Sequence, residues 1–140
     1  MLILINDILD ISKIEAGELS ISLSKINLYE LIENLVLDMQ PLANEKGLIL
    51  NYNSNLNELF LLSDSNRIKQ IIRNLMSNAI KFTDNGIIKI ILEENANDIT
   101  IKVIDEGIGI SKEKLGYIFE RFKQADGSTT LKYGGTGLGL

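Results

Sequence analysis

Apolar residues recur at two different periods along this chain, and the switches between them mark its elements. From Leu2 to Ile14, the residues Leu4, Ile8 and Ile11, flanked by Ile5 and Leu9, follow helical spacing on a wide face. This predicts the end of a longer amphipathic helix, with Gly17 as its stop signal. An ordinary core helix would show the same period, but the width of the face favours a helix that pairs with another element. Leu19 to Leu23 alternates apolar and polar, which predicts a strand with one buried face. Leu28, Leu31, Ile32, Leu35 and Val36 then return to spacings of three and four, predicting a helix from about Asn27 to Gln40. Asn27 is a reasonable N-cap, Pro41 breaks or kinks the pattern, and Gly47 closes the last turn.

Strand signals reappear in "LILNYNS" and "ELFLLSD", separated by an Asn-rich turn. Between Ser65 and Phe82, Ile68, Ile71, Ile72, Leu75, Met76 and Ala79 predict another helix, capped by Asp64 or Ser63. "DNG" turns into "IIKIILEE", and "AND" turns into "ITIKVID"; both runs are β-branched and alternating, so they predict an antiparallel hairpin. From Glu106 onward the chain is loop-rich, with a short helix expected in "KEKLGYIF". The element order predicts an α+β fold, a two-layer α/β sandwich whose mixed sheet carries helices on one face.

Composition narrows the chemistry. The 140 residues are 45% hydrophobic and 24% charged, the balance of a globular chain with one core. A net charge of −5 with no long basic run excludes the electrostatic footprint of a nucleic-acid binder. Cysteine and histidine are both absent, which removes disulfides, thiol nucleophiles, imidazole catalysis and zinc sites built on either side chain. The apolar start is interrupted by Asp7 and Asp10 and lacks a basic flank, so it is too short and acidic for a signal peptide or a membrane span, and the chain reads as cytoplasmic.

Three clusters carry candidate chemistry. In "NLMSNAIKFT", Asn74, Asn78 and Lys81 fall on one helix face, one turn apart. Asparagine is a poor interior helix former, so two on one stripe mark either a polar solvent face or a binding role; an amide oxygen can complete the shell of Mg²⁺, which keeps several waters and binds substrate phosphates. In "DEGIGI", Asp105 ends a strand and is followed by Gly107 and Gly109, which is either an acidic turn or a carboxylate placed to accept from an exocyclic amine beside a closely approaching ring. In the terminal "GGTGLGL", Gly135, Gly137 and Gly139 free backbone N–H groups to close on phosphate oxygens.

The order of these clusters, with "IFERFKQADGSTTLKYGGTGLGL" running from the second to the end, resembles the asparagine, glycine and phenylalanine boxes of sensor histidine kinases, members of the Bergerat ATP-binding superfamily. "FKQAD" and "YGGTGLGL" are similar to the hybrid branch of that family, and "NDILDISKIEAGEL" resembles the end of the second helix of its dimerisation and histidine-phosphotransfer domain. The resemblance implies ATP and Mg²⁺ as ligands. By it, Asn78 is the Mg²⁺-binding residue, Asn74 stands one turn before it, and Lys81 lies near the phosphates. Phe82 stands beside the adenine, and Asp105 receives the adenine amino group in a pocket shaped by Gly107 and Gly109. Phe119 and Phe122 anchor the lid, and Gly135, Gly137 and Gly139 lie on the phosphate side. Ile110, Thr136 and Leu138 complete the ATP-binding set.

The topoisomerase and mismatch-repair members place a glutamate four residues before the Mg²⁺-binding asparagine to activate water. Here that position is Asn74, which takes no proton, so transfer to an incoming nucleophile is favoured over hydrolysis. The resemblance divides the chain into residues 1–16, the end of the second dimerisation helix, and residues 17–140, an ATP-binding domain truncated at its C-terminus. The phosphoryl acceptor is a histidine of a dimerisation domain outside the chain, and a response regulator or receiver domain follows indirectly. A homodimer belongs to the intact parent, and the chain by itself is not expected to autophosphorylate. A non-catalytic nucleotide-binding or dimer-interaction fragment is the alternative.

Overall fold

A computed structural model describes residues 9–10 and 12–116. The predicted positions Leu4, Ile5, Ile8 and Ile11 of the first helix lie outside the described residues, as do Phe119, Phe122, Gly135, Thr136, Gly137, Leu138 and Gly139. What is described of that helix, α1, is helical at residues 9–10 and 12–15. It ends as predicted at Gly17, whose φ of +70° lets its N–H reach the carbonyl of Ile14 while that of Glu18 reaches Lys13.

The elements that follow are β1 (Ser24–Asn27), α2 (Leu28–Glu45), β2 (Ile49–Ser54), β3 (Phe60–Ser63), α3 (Ser65–Phe82), β4 (Ile87–Glu94), β5 (Ile99–Ile104) and the single turn α4 (Lys112–Leu115). The predicted strand at Leu19–Leu23 is not formed; residues 18–23 carry no regular structure, and Ile21 and Leu23 are exposed. The strand lies further on, because β3 pairs antiparallel with Ser24–Asn27. Asn27 precedes α2 but its side chain does not cap the helix; its Oδ1 accepts from the N–H of Leu59 and so extends the β1–β3 pairing. Nor does Pro41 break α2, which continues to Glu45 and closes at Gly47, where Gly47 N–H bonds Asn44 and Leu48 N–H bonds Ala43. A proline deletes one helical donor; the apolar stripe of Leu35, Val36, Met39 and Ala43, buried on both sides of it, holds the helix together.

A second sheet has the order β2-β4-β5 and is mixed: β2 runs parallel to β4, and β4 antiparallel to β5. The predicted hairpin is therefore present, with Ile90 opposite Val103 and Leu92 opposite Ile101. Strand alternation turns Ile88, Ile90 and Leu92 into the core, where each is fully buried, and leaves Lys89 exposed. They meet Ile32 and Leu35 of α2 and Ile72, Met76 and Ile80 of α3 in one cluster. Burial of each such side chain contributes about 1.5–3 kcal/mol. This α+β arrangement of helices on a mixed sheet fixes the C-terminal end of α3 beside the C-terminal end of β5. Among the described residues no helix is long and apolar enough to cross a membrane.

Candidate nucleotide site

α3 spans the range that its periodicity predicts, and its start is set by Asp64, whose Oδ1 accepts from the N–H groups of Asn66 and Arg67. The other oxygen of Asp64 accepts from the N–H of Ser22. These backbone donors, with Ser22 first, hold its carboxyl below the ordinary carboxylate value. Ile72, Met76, Ala79 and Ile80 face the core. That rotation leaves Asn74 and Asn78 half-buried along a neighbouring stripe, with Lys81 and Phe82 half-buried in the last turn. The Lys81 ammonium stands 5.0 Å from the centre of the Phe82 ring, so the cation lies across the aromatic face.

The turn after β5 folds back on this helix end. Asp105 is exposed, and its Oδ1 accepts from the N–H of Gly107 at 2.9 Å, which closes a tight side-chain turn. Ile108 N–H then donates to the Phe82 carbonyl at 3.2 Å. A Cβ on Gly107 would stand 2.5 Å from that carbonyl oxygen, so only glycine admits this approach. Gly109 takes a φ of +69° with open space around it, a conformation glycine adopts without strain. Ile108 and Ile110 present exposed apolar side chains next to the turn. Phe82, Asp105 and Gly107 are thus brought together, with Asn78 one helical turn before Phe82.

Sequence reasoning missed the groups that brace this arrangement. Lys46, just past α2, donates through Nζ to the carbonyls of Ile80 (2.7 Å), Lys81 (3.0 Å) and Thr83 (2.9 Å). A cation there satisfies carbonyls that the helix leaves open and opposes the negative end of its dipole. No local pattern announces it, because Lys46 and Ile80 are 34 positions apart. Glu106 accepts from the N–H of Ile87 and so ties the Asp105 turn to the start of β4. Thr83 is fully buried, and its Oγ1 has no hydrogen-bond partner among the described residues.

The described residues contain no group of three or more acidic side chains able to hold a metal ion. The amide oxygen of Asn78 is a donor of the kind that can complete the shell of a divalent cation otherwise held by phosphate oxygens and water. Two hollows of about 340 and 560 Å³ lie elsewhere: one between β2 and β4 around Asn53 and Glu93, the other between α1 and α3. The glycine cluster expected to form the third wall of the nucleotide site belongs to the residues outside the description.

Comparison with known proteins places this geometry in context. The family described as histidine kinase-, DNA gyrase B- and HSP90-like ATPase matches residues 63–140. The autoinducer 2 sensor kinase/phosphatase LuxQ of Vibrio cholerae is 45% identical over 145 residues, spanning 100% of this chain and 17% of that protein. The signal transduction histidine-protein kinase BarA of Escherichia coli is 40% identical over 147 residues, spanning 100% of this chain and 16% of its own length. The chain thus spans less than a fifth of these curated relatives. Among solved structures, full-length ShkA in complex with AMPPNP superposes with a TM-score of 0.85 at 29% identity, over 97% of this chain and 28% of that one. The catalytic domain of histidine kinase ThkA superposes with a TM-score of 0.74 at 30% identity, over 85% of this chain and 75% of that domain.

Proposed function

The chain belongs to the histidine kinase-, DNA gyrase B- and HSP90-like ATPases, and from that membership we propose that it binds Mg·ATP as the catalytic part of a sensor histidine kinase. One observation carries the reading: the Phe82 carbonyl accepts from Ile108 N–H and presses on Gly107, which joins the asparagine-bearing helix to the Asp105 turn. Asp105 offers a carboxylate oxygen to an exocyclic amine, Gly107 and Gly109 let backbone lie against the ring, and Ile110 and Phe82 supply apolar contact. Asn74, Asn78 and Lys81 face the phosphates, with Asn78 as the metal ligand. Phe119, Phe122, Gly135, Thr136, Gly137, Leu138 and Gly139 supply the remaining wall.

Asn78 would hold Mg²⁺ through its amide oxygen, and the cation would supply charge neutralisation during phosphoryl transfer. The chain's own residues position the nucleotide and withhold a base: Asn74 cannot deprotonate water, so the γ-phosphoryl group is kept for an incoming nucleophile. That nucleophile is a histidine of a dimerisation domain, since the chain itself contains none. Residues 1–16 belong to the second helix of that domain and residues 17–140 to the nucleotide domain. A receiver domain takes the phosphoryl group afterwards.

Titration with a fluorescent ATP analogue, with and without Mg²⁺, tests this reading. Asn78→Ala should lose about tenfold of the Mg²⁺-dependent affinity and change metal-free affinity less than twofold. Asp105→Ala should erase the preference for adenine over guanine nucleotides. A flat titration of the unaltered chain overturns the proposal, and phosphohistidine on a separately supplied intact dimerisation domain extends it to catalysis.

A further inference from the structure

Among its described residues, the helical segment ending at Gly17 buries no apolar side chain. Of these residues Leu9 is 51% and Ile14 53% exposed, and Asp10 alone is half-buried. Asp10 is also where polar contact concentrates. Arg67 Nη1 donates to its Oδ2 at 2.7 Å and Nη2 to its Oδ1 at 3.2 Å, a two-pronged pairing across 57 positions of sequence. Gln70 Nε2 donates to the same Oδ2 at 3.1 Å, while Gln70 Oε1 accepts from Arg67 Nη1 at 2.9 Å. Each donor therefore orients the other. Hydrogen bonding from Arg67, then Gln70, holds the Asp10 carboxyl below its ordinary value.

A second tether lies close by. Ser22 N–H donates to Asp64, the cap of the same helix. The chain on both sides of the Gly17 turn is thus pinned to the first turns of α3, and α3 carries Asn74 and Asn78 one to two turns further along. Two attachments fix a direction, where one would leave a swivel.

We propose that Asp10, Arg67 and Gln70 form a releasable latch that sets the orientation of α1 relative to α3. Its consequence for phosphoryl transfer rests on the function proposed above: through α3, these positioning residues set where the terminal phosphate stands relative to the helix preceding Gly17. Release is built in, because the paired side chains remain 32% and 23% exposed and, among the described residues of α1, neither Leu9 nor Ile14 is buried beside them.

The test exploits a chain without cysteine, in which Ile14→Cys and Glu94→Cys place two spin labels on exposed sites. The unaltered latch should give one narrow distance distribution. Asp10→Ala and Arg67→Gln should each broaden it at least twofold, and the double variant should be no broader than either, as expected for partners in one contact. Melting temperature should stay put in all three, and affinity for the fluorescent ATP analogue should change less than twofold. A distribution that is broad with the latch intact, one unmoved by Asp10→Ala, or broadening accompanied by loss of the melting transition overturns the latch. If no chain binds nucleotide, the proposed function fails while the distance measurement still decides this proposal.

Discussion

The carbonyl oxygen of Phe82 and the α-carbon of Gly107 are in such close approach that any side chain at position 107 would collide with backbone. This contact joins the last turn of α3 to the turn after β5, and it places Asp105 beside the helix that bears Asn78. Neighbouring Gly109 has no such restriction in space, only in φ. The two glycines of "DEGIGI" therefore do different work.

Gly107→Ala should cost about 1–3 kcal/mol, the usual penalty for forcing a methyl into packed structure, and should weaken nucleotide binding with it. Gly109→Ala should cost about 1 kcal/mol through its positive φ alone. Urea unfolding of both variants beside fluorescent-nucleotide titration checks the ranking; equal penalties would contradict the geometry.

Lys46→Met removes the ammonium from the carbonyls of Ile80, Lys81 and Thr83 while keeping the aliphatic stem. The expected loss is about 1.5 kcal/mol, at the lower end for hydrogen bonds to a charged group because Lys46 is largely exposed. Amide exchange should rise first in the last turn of α3, residues 79–83. Uniform acceleration across the whole domain would contradict a local role.

Asp64 makes stability depend on acidity with a definite sign. Its carboxyl titrates below the ordinary 3.8 in the folded chain, so its contribution is complete above that value and is lost as pH falls through the folded value. Asp64→Asn should lower the melting temperature by several degrees at pH 7. The gap to the unaltered chain should hold down to about pH 5 and then close as both are acidified. Thermal scans across that range measure it; a gap that widens on acidification would refute the assignment.

Thr83→Val replaces a buried hydroxyl that has no hydrogen-bond partner among the described residues with a methyl of similar shape. Relief of the unsatisfied oxygen should stabilise the fold by about 1 kcal/mol. Chemical denaturation reads this directly. Destabilisation would show that the hydroxyl has a partner after all, and a fall in nucleotide affinity at unchanged stability would assign that partner to the ligand.

What local patterns could encode was legible in the chain alone. The limits of α3 follow from Asp64, which can cap only the helix that starts beside it, and from apolar spacing of three and four between Ile68 and Ala79. The β4–β5 hairpin, the stops at Gly17 and Gly47 and the clustering of Asn74, Asn78 and Lys81 on neighbouring turns are equally local, because period and turn chemistry act over a few residues. Tertiary structure decided the rest. Strand pairing chose Ser24–Asn27 over the equally alternating Leu19–Leu23, since β3 offers its hydrogen bonds to only one of them. It drew the Asn27 side chain away from its helix and toward Leu59, and it brought Lys46 to the end of α3 and Asp10 to its beginning. Each of these contacts joins positions more than thirty residues apart, where no periodicity reaches. They exist only because burial of the apolar faces of α2, α3 and β4 first sets where the polar groups must meet.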